Sequence, residues 1–116
     1  MSAGANVAAE ARRWYWMRIS SMVLGVCVLV HLATIVYAVR GGLSAAEILG
    51  RTRGSVAFAT FYGVFVLASA VHVPIGLEAI VREWLGATAR TARAVAWLVA
   101  LAIVVLGLRA VWGVVA

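Results

Sequence analysis

The chain has 116 residues, of which 66% are apolar and only 12% are charged, and its mean hydropathy is +1.06. Soluble domains are about half apolar and about a quarter charged, so this composition excludes a soluble domain and indicates an integral membrane protein. The net charge of +6 comes from arginines at the ends of the apolar runs, a pattern that suits lipid headgroups and excludes the basic soluble face of a nucleic-acid-binding protein.

The first membrane span follows an Ala-, Ser- and Gly-rich start over residues 1–11, which we expect to be mobile or to lie on the membrane surface. Arginines and aromatic residues alternate over residues 12–18, as is typical of the headgroup layer. About twenty apolar residues span a hydrocarbon core of about 30 Å, so the run over 17–39 predicts a transmembrane helix. The run is too long for a cleaved signal peptide. Cys27 lies within it and is interpreted as a packing residue.

The linker after this span contains a short helix, predicted over residues 44–50 on the outer side. Ser44 is its expected N-cap, and Glu47 three residues later has the spacing of a capping box. Gly50 is expected to end the helix.

Two further apolar runs complete the pattern. The second predicts a transmembrane helix over 55–81, in which Pro74 is expected to bend the axis beside His72. A polar loop is expected over 82–93, and the third helix over 94–116. The predicted fold class is therefore all-α integral membrane, with three transmembrane helices running up-down-up.

The distribution of arginines predicts the orientation. Six lie on the side that holds the N-terminal flank and the second loop, and three lie in the first loop. The first group is Arg12, Arg13, Arg18, Arg82, Arg90 and Arg93; the second is Arg40, Arg51 and Arg53. The positive-inside rule then predicts a cytoplasmic N-terminus and a C-terminus outside.

Two histidines lie inside the predicted spans, where an ionisable side chain costs about 2.5 kcal/mol or more unless a partner satisfies it. Each is a candidate ligand of a haem iron. At about 1.5 Å per residue, His31 lies roughly 20 Å and His72 roughly 15 Å from the cytoplasmic boundary, so the two histidines need not bind the same iron. Gly76 lies one turn after His72 on the same face and leaves room for a flat macrocycle. Alternatively, the histidines bond to neighbouring helices and Gly76 allows close helix packing.

A haem iron in a low-spin cytochrome b takes two axial imidazoles, whereas this chain offers one histidine at each depth. Three helices are also too few to enclose a macrocycle alone. We therefore expect the chain to be part of a larger haem-containing bundle. Either a second subunit supplies the other ligands, or a symmetric dimer brings His72 to its own copy.

Two charged residues within the spans have open interpretations. Arg109 could pair with a haem propionate in low dielectric, or it could snorkel to the outer headgroups. Glu78 could be a proton-relay carboxylate, or it could be an ordinary interfacial charge near Arg82.

The motifs of the first two helices resemble those of the cytochrome b membrane-anchor subunits of succinate dehydrogenase and fumarate reductase. The family typically has Arg-x-Ser-Gly in the first helix and His-x-x-x-Gly-[Ile/Leu]-Arg-His in the second, followed by Asp and an aromatic residue. This chain has Arg18-Ile19-Ser20-Ser21, His72-x-x-x-Gly76-Leu77 and then Glu83-Trp84-Leu85-Gly86. The resemblance covers roughly residues 14–86.

The resemblance implies a haem b ligand set. His72 corresponds to the family's axial ligand, and His31 has counterparts only in the branch that holds two haems. One or two haems, shared with a partner subunit, are therefore implied. The family's Arg-His after the glycine is Glu78-Ala79 here, so Arg82 is expected to take over a propionate contact.

The resemblance also implies a quinone site and partner proteins. The candidate quinone-binding residues are Arg18, Ser20, Ser21 and Trp14. The implied function is that of a membrane anchor in the bacterial cytoplasmic membrane, bound to a flavoprotein and an iron–sulfur subunit and to a second membrane subunit or a second copy. The residues alone leave open a haem-free three-helix partner or transporter half-unit, or a haem b subunit of another quinone-linked dehydrogenase.

Overall fold

The structure is a computed structural model that describes residues 2–116. These residues form four helices: α1 (Ala3–Gly41), α2 (Ala45–Thr52), α3 (Val56–Leu85) and α4 (Ala89–Val115). The helices α1, α3 and α4 are long and apolar enough to cross a membrane, which confirms the all-α fold with three spans. The molecule measures 56 × 23 × 23 Å, so it is a rod about as long as α1.

Helix α3 lies in the middle of the bundle. It packs against α1 on one side and α4 on the other, whereas α1 and α4 barely touch. Ser20 of α1 lies beside His72 of α3, and His31, further along α1, lies beside Tyr62, earlier on α3, so these helices are antiparallel. We call the end where α1 and α4 begin the arginine-rich end, and the opposite end the α2 end.

The long helices extend beyond the apolar runs that predicted them. Helix α1 begins at Ala3, with Ser2 as its N-cap, so residues 3–11 continue the helix of the first span. The reason is composition, because this stretch is rich in alanine, the strongest helix former. The expected mobility or surface position of this start stays a prediction. Apolar content identifies the part of a helix in lipid, not its full length.

The predicted polar loop over 82–93 is also mostly helical, because arginine, glutamate, leucine and alanine are good helix formers. Helix α3 continues to Leu85 and is capped by Gly86 in the left-handed conformation (φ 65°), and α4 begins at Ala89 after the N-cap Thr88. The connection therefore covers only residues 86–88. So short a connection keeps α3 and α4 together as antiparallel neighbours.

The short helix α2 has the capping box that the sequence predicts. The Glu47 backbone N–H donates to Ser44 Oγ at 3.2 Å, and the Ser44 N–H donates to Glu47 Oε2 at 3.0 Å. The predicted end at Gly50 is wrong, because the helix continues to Thr52. Its last turn is held by a contact to α4, which sequence patterns do not reveal.

That contact is a clamp between the α2–α3 connection and the last carbonyls of α4, which have no partners within the helix. Thr52 Oγ1 donates to Val114 O at 2.6 Å, the Gly54 N–H to Val115 O at 2.7 Å, and Arg53 Nε to Ala116 O at 2.9 Å. An arginine at a helix C-terminus also interacts favourably with the helix dipole. The clamp fixes the position of α3 relative to α4 along the long axis of the bundle.

The capping box predicts a pH-dependent contact outside the membrane. Hydrogen bonds from the Ser44 backbone and then its side chain lower the pKa of Glu47 below its ordinary value. A lowered carboxyl pKa stabilises the helix end above the unfolded-state value, and this contribution is lost as the pH falls through the folded-state value. In Ser44→Ala we expect the pKa of Glu47 to rise only part of the way towards its ordinary value, because the larger contribution, from the Ser44 backbone N–H, remains; NMR titration measures the change.

The matched control for this prediction is Ser2→Ala, which removes the N-cap hydroxyl of α1 instead of α2. It should leave the Glu47 titration unchanged. An unchanged Glu47 pKa in Ser44→Ala would contradict the role of the serine hydroxyl.

Candidate functional site

His72 contacts two serines on α1. Its Nδ1 lies 3.4 Å from Ser20 Oγ and 3.4 Å from Ser21 Oγ. Both hydroxyls also lie near the carbonyl oxygen of Met17, at 3.1 Å for Ser20 and 2.6 Å for Ser21. A hydroxyl has one proton to donate, and donation to Met17 leaves only lone pairs to face the imidazole. We therefore assign the ring proton of His72 to Nδ1, which donates to the serines.

This assignment leaves Nε2 of His72 without a proton and with a free lone pair. Nε2 makes no hydrogen bond to residues 2–116, and among these residues no fully buried side-chain nitrogen lacks a partner. Nε2 is therefore accessible at the surface of the chain. A metal-bound histidine usually has this arrangement, with one nitrogen on the metal and the other N–H donating to an oxygen.

Gly76 lies against α1. A Cβ built at this glycine would lie 3.3 Å from Met17 Cε, so the side chain of Met17 occupies the space beside it. From the sequence, that space was predicted to be free for a macrocycle. The contact fits the alternative interpretation, in which Gly76 allows α1 and α3 to approach closely. Methionine is flexible and can repack, and a haem-side role for Gly76 stays a prediction.

His31 lies in an aromatic environment on the same pair of helices. Its Nδ1 lies 3.2 Å from the hydroxyl oxygen of Tyr62. The rings of Tyr62 and Phe65 pack edge-on against the imidazole, with centroids 5.8 and 5.7 Å away. A tyrosine hydroxyl can donate or accept, so this contact does not fix the tautomer as the serines do for His72.

The two histidines lie at different levels of the bundle. His72 follows Tyr62 by ten residues on α3, and His31 follows Ser21 by ten residues on α1. Both separations correspond to roughly 15 Å along a helix, so the two imidazoles cannot ligate one iron. His72 is the nearer of the two to the arginine-rich end, in the order that the sequence predicts.

The four candidate quinone-binding residues form two separate groups. The guanidinium of Arg18 lies over the ring of Trp14, 5.5 Å from its centroid, and both residues are exposed. Ser20, by contrast, is only 4% exposed. Its hydroxyl, like that of Ser21, is engaged with Met17 and His72. No hydrogen bond within residues 2–116 joins the side chain of Arg18 or Trp14 to either serine.

Glu78 is buried and forms an ion pair with an arginine other than the predicted neighbour. Its Oε1 lies 3.0 Å from Arg13 Nη1, and Glu78 as a whole is 8% exposed. The expected neighbour, Arg82, is exposed and lines a polar cleft with Glu10 and Glu83 instead. The partner was missed because Arg13 belongs to a helical turn that lies before the predicted start of α1.

Arg109 is exposed and makes no hydrogen bond or ion pair with residues 2–116. This exposure agrees with an arginine whose charged head reaches the headgroup layer. A pairing of Arg109 or Arg82 with a propionate stays a prediction.

The donor set restricts which metal groups the chain can hold. Among residues 2–116, no group of three or more His, Cys, Asp or Glu residues could hold a metal ion. A haem iron needs only axial ligands from the protein, so this finding does not bear on haem.

The residues missed by sequence reasoning are Met17, Tyr62 and Arg13. The signal for Tyr62 was a polar hydroxyl inside an apolar span, where such groups usually bond across helices. Met17 and Arg13 carry no such signal. No protein-family model, curated protein or solved structure matches the chain.

Proposed function

We propose that the chain is a haem b-binding membrane anchor of a succinate dehydrogenase or fumarate reductase complex. The observation that carries the proposal is the environment of His72. Two serine hydroxyls hold its Nδ1–H, and its Nε2 is free at the surface of the chain. An intramembrane histidine in this state is prepared to ligate haem iron, and the bound haem would supply one-electron transfer.

The proposal requires a partner for the second axial ligand. His72 is the sole histidine at its level, so the opposite imidazole must come from a second membrane subunit or a second copy of this chain. The packing of the bundle supports such a partnership. Because α1 and α4 barely touch, most residues of α3 between them are only part-buried or exposed, and a partner could pack there. On this proposal, flavoprotein and iron–sulfur subunits bind at the arginine-rich end.

The proposed location is the bacterial cytoplasmic membrane, with the arginine-rich end in the cytoplasm. The six arginines near this end support the orientation. His31 would then ligate a second haem nearer the outer face.

The test is a reduced-minus-oxidised spectrum of the purified membrane protein with a haem-to-protein ratio. A b-type spectrum is expected, with a second b-type centre if His31 also binds haem. Recovery of a flavoprotein with covalently bound flavin would identify the complex as succinate- or fumarate-linked. Recovery of a different dehydrogenase would assign the chain to another quinone-linked enzyme.

Arg18 is the proposed quinone-binding residue of this chain. Its exposed guanidinium is free to donate to a quinone carbonyl, with Trp14 beside it. In the intact complex, Arg18→Ala should abolish quinone reduction and spare succinate oxidation with an artificial acceptor. Arg90→Gln, which removes another exposed arginine, is the control and should leave both activities unchanged. Normal quinone reduction in Arg18→Ala would refute this role.

The second candidate function is a haem-free three-helix membrane partner. The position of Met17 favours it, because its Cε lies 3.3 Å from where a Cβ of Gly76 would be and occupies the space beside the glycine. In that case His72 would be an interhelical hydrogen-bonding residue, and the purified protein would have no b-type spectrum.

A further inference from the structure

A cavity of about 560 Å³ opens beside α3 on the half of the bundle nearer the arginine-rich end. The indoles of Trp16 and Trp97 line it together with Ala100, and its walls are mostly apolar. It extends along α3 from Ala70 to Glu78, which corresponds to roughly 12 Å of helix. Its size is within the range of about 300–1,000 Å³ that is typical of small-molecule sites.

The polar end of this cavity carries a net positive charge. Glu78 and Arg93 both line the cavity. The Glu78 carboxylate is already neutralised by Arg13 at 3.0 Å, whereas Arg93 makes no ion pair or hydrogen bond with the described residues. The cavity therefore presents one unpaired guanidinium towards the arginine-rich end. Its apolar part, which we call the trough, continues towards the middle of α3.

We propose that this trough is a specific site for an anionic phospholipid. One acyl chain would lie between the indoles of Trp16 and Trp97, and the phosphate would pair with Arg93. The arrangement matches the orientation of a lipid in a leaflet, with its charged head at the arginine-rich end. Basic pockets between transmembrane helices on the cytoplasmic side are typical sites for anionic headgroups. The proposal does not depend on haem binding.

The experiment measures quenching of tryptophan fluorescence by brominated acyl chains in phosphatidylcholine vesicles that contain the full-length protein. Equal amounts of brominated phosphatidylglycerol or brominated phosphatidylcholine are added, and each signal is divided by that in unbrominated lipid. The quenching of Trp97 is obtained as the difference in fluorescence quenching between wild type and Trp97→Phe. We expect its quenching to favour phosphatidylglycerol about fivefold, the effect of one arginine near an anionic headgroup.

Two variants and one control test the site itself. Arg93→Gln should make the two lipids equivalent. Arg90→Gln, which removes the same charge from an exposed residue that does not line the cavity, should keep the preference. Ala100→Phe fills the trough and should reduce the quenching of Trp97 by both lipids.

The proposal is overturned if wild type is quenched equally by the two lipids, since the trough then holds ordinary neutral hydrocarbon. It is also overturned if Arg90→Gln lowers the preference as much as Arg93→Gln, since general surface charge then explains it. Neither result bears on haem, which the b-type spectrum reports separately.

Discussion

Replacement of His72 by alanine is expected to abolish the b-type spectrum of haem bound at its level. Alanine has no ligand atom, and no other histidine lies within reach, because His31 is roughly 15 Å away along the helices. The measurement is the reduced-minus-oxidised spectrum of the purified membrane protein, scaled to protein content. The haem-to-protein ratio should fall by one haem per chain, or by one per pair of chains if two copies share it.

His31→Ala is the matched control. It removes an intramembrane imidazole at the other level and should leave the centre at His72 in place. Circular dichroism on both variants separates loss of ligation from loss of fold, because the bundle should remain helical in each. A full b-type spectrum in His72→Ala would remove the basis of the proposed function.

Replacement of Gly107 by leucine is expected to give the largest loss of stability in the bundle. A Cβ at this position would lie 2.7 and 2.8 Å from the two Cγ atoms of Val66, so α3 and α4 could not keep their present separation. Overpacking of this kind typically costs about 1–3 kcal/mol, and it would fall on the most extensive helix interface of the molecule. Thermal unfolding followed by circular dichroism in detergent would measure the loss.

Gly113→Leu provides the control within the same helix, because a Cβ there meets nothing within 4 Å. Its unfolding temperature should stay near that of wild type. Adding Val66→Ala to Gly107→Leu should recover part of the lost stability, since the clash is specific to this pair. Equal effects of leucine at residues 107 and 113 would show that the close approach of α3 and α4 does not stabilise the bundle.

The three spans could be predicted from the sequence because the thickness of the hydrocarbon core fixes the length of an apolar run. The ends of the helices could not. Residues 3–11 and 89–93 extend helices beyond the apolar runs, where helix propensity and capping by Ser2 and Thr88 decide the outcome. The capping box of α2 was predictable because it depends on two residues three positions apart.

The candidate site was predictable only in part. The motifs singled out Ser20, Ser21 and His72 and predicted that the serines bind a quinone; they did not predict that both serines contact the histidine. Such a contact depends on how α1 and α3 are aligned, and residues 51 and 52 positions apart carry no local signal of it. Helix packing, which single-sequence patterns do not contain, decides which polar groups meet.

The roughly 15 Å between the levels of the two histidines has an electrical consequence. An electron passing between irons at these levels would cross about half of a hydrocarbon core of about 30 Å. Moving one elementary charge across the whole core takes about 2.3 kcal/mol per 100 mV, so this passage would couple to about half of that. Redox equilibration between the two levels would then depend on the membrane voltage, whereas electron exchange confined to the level of His72 would be insensitive to it.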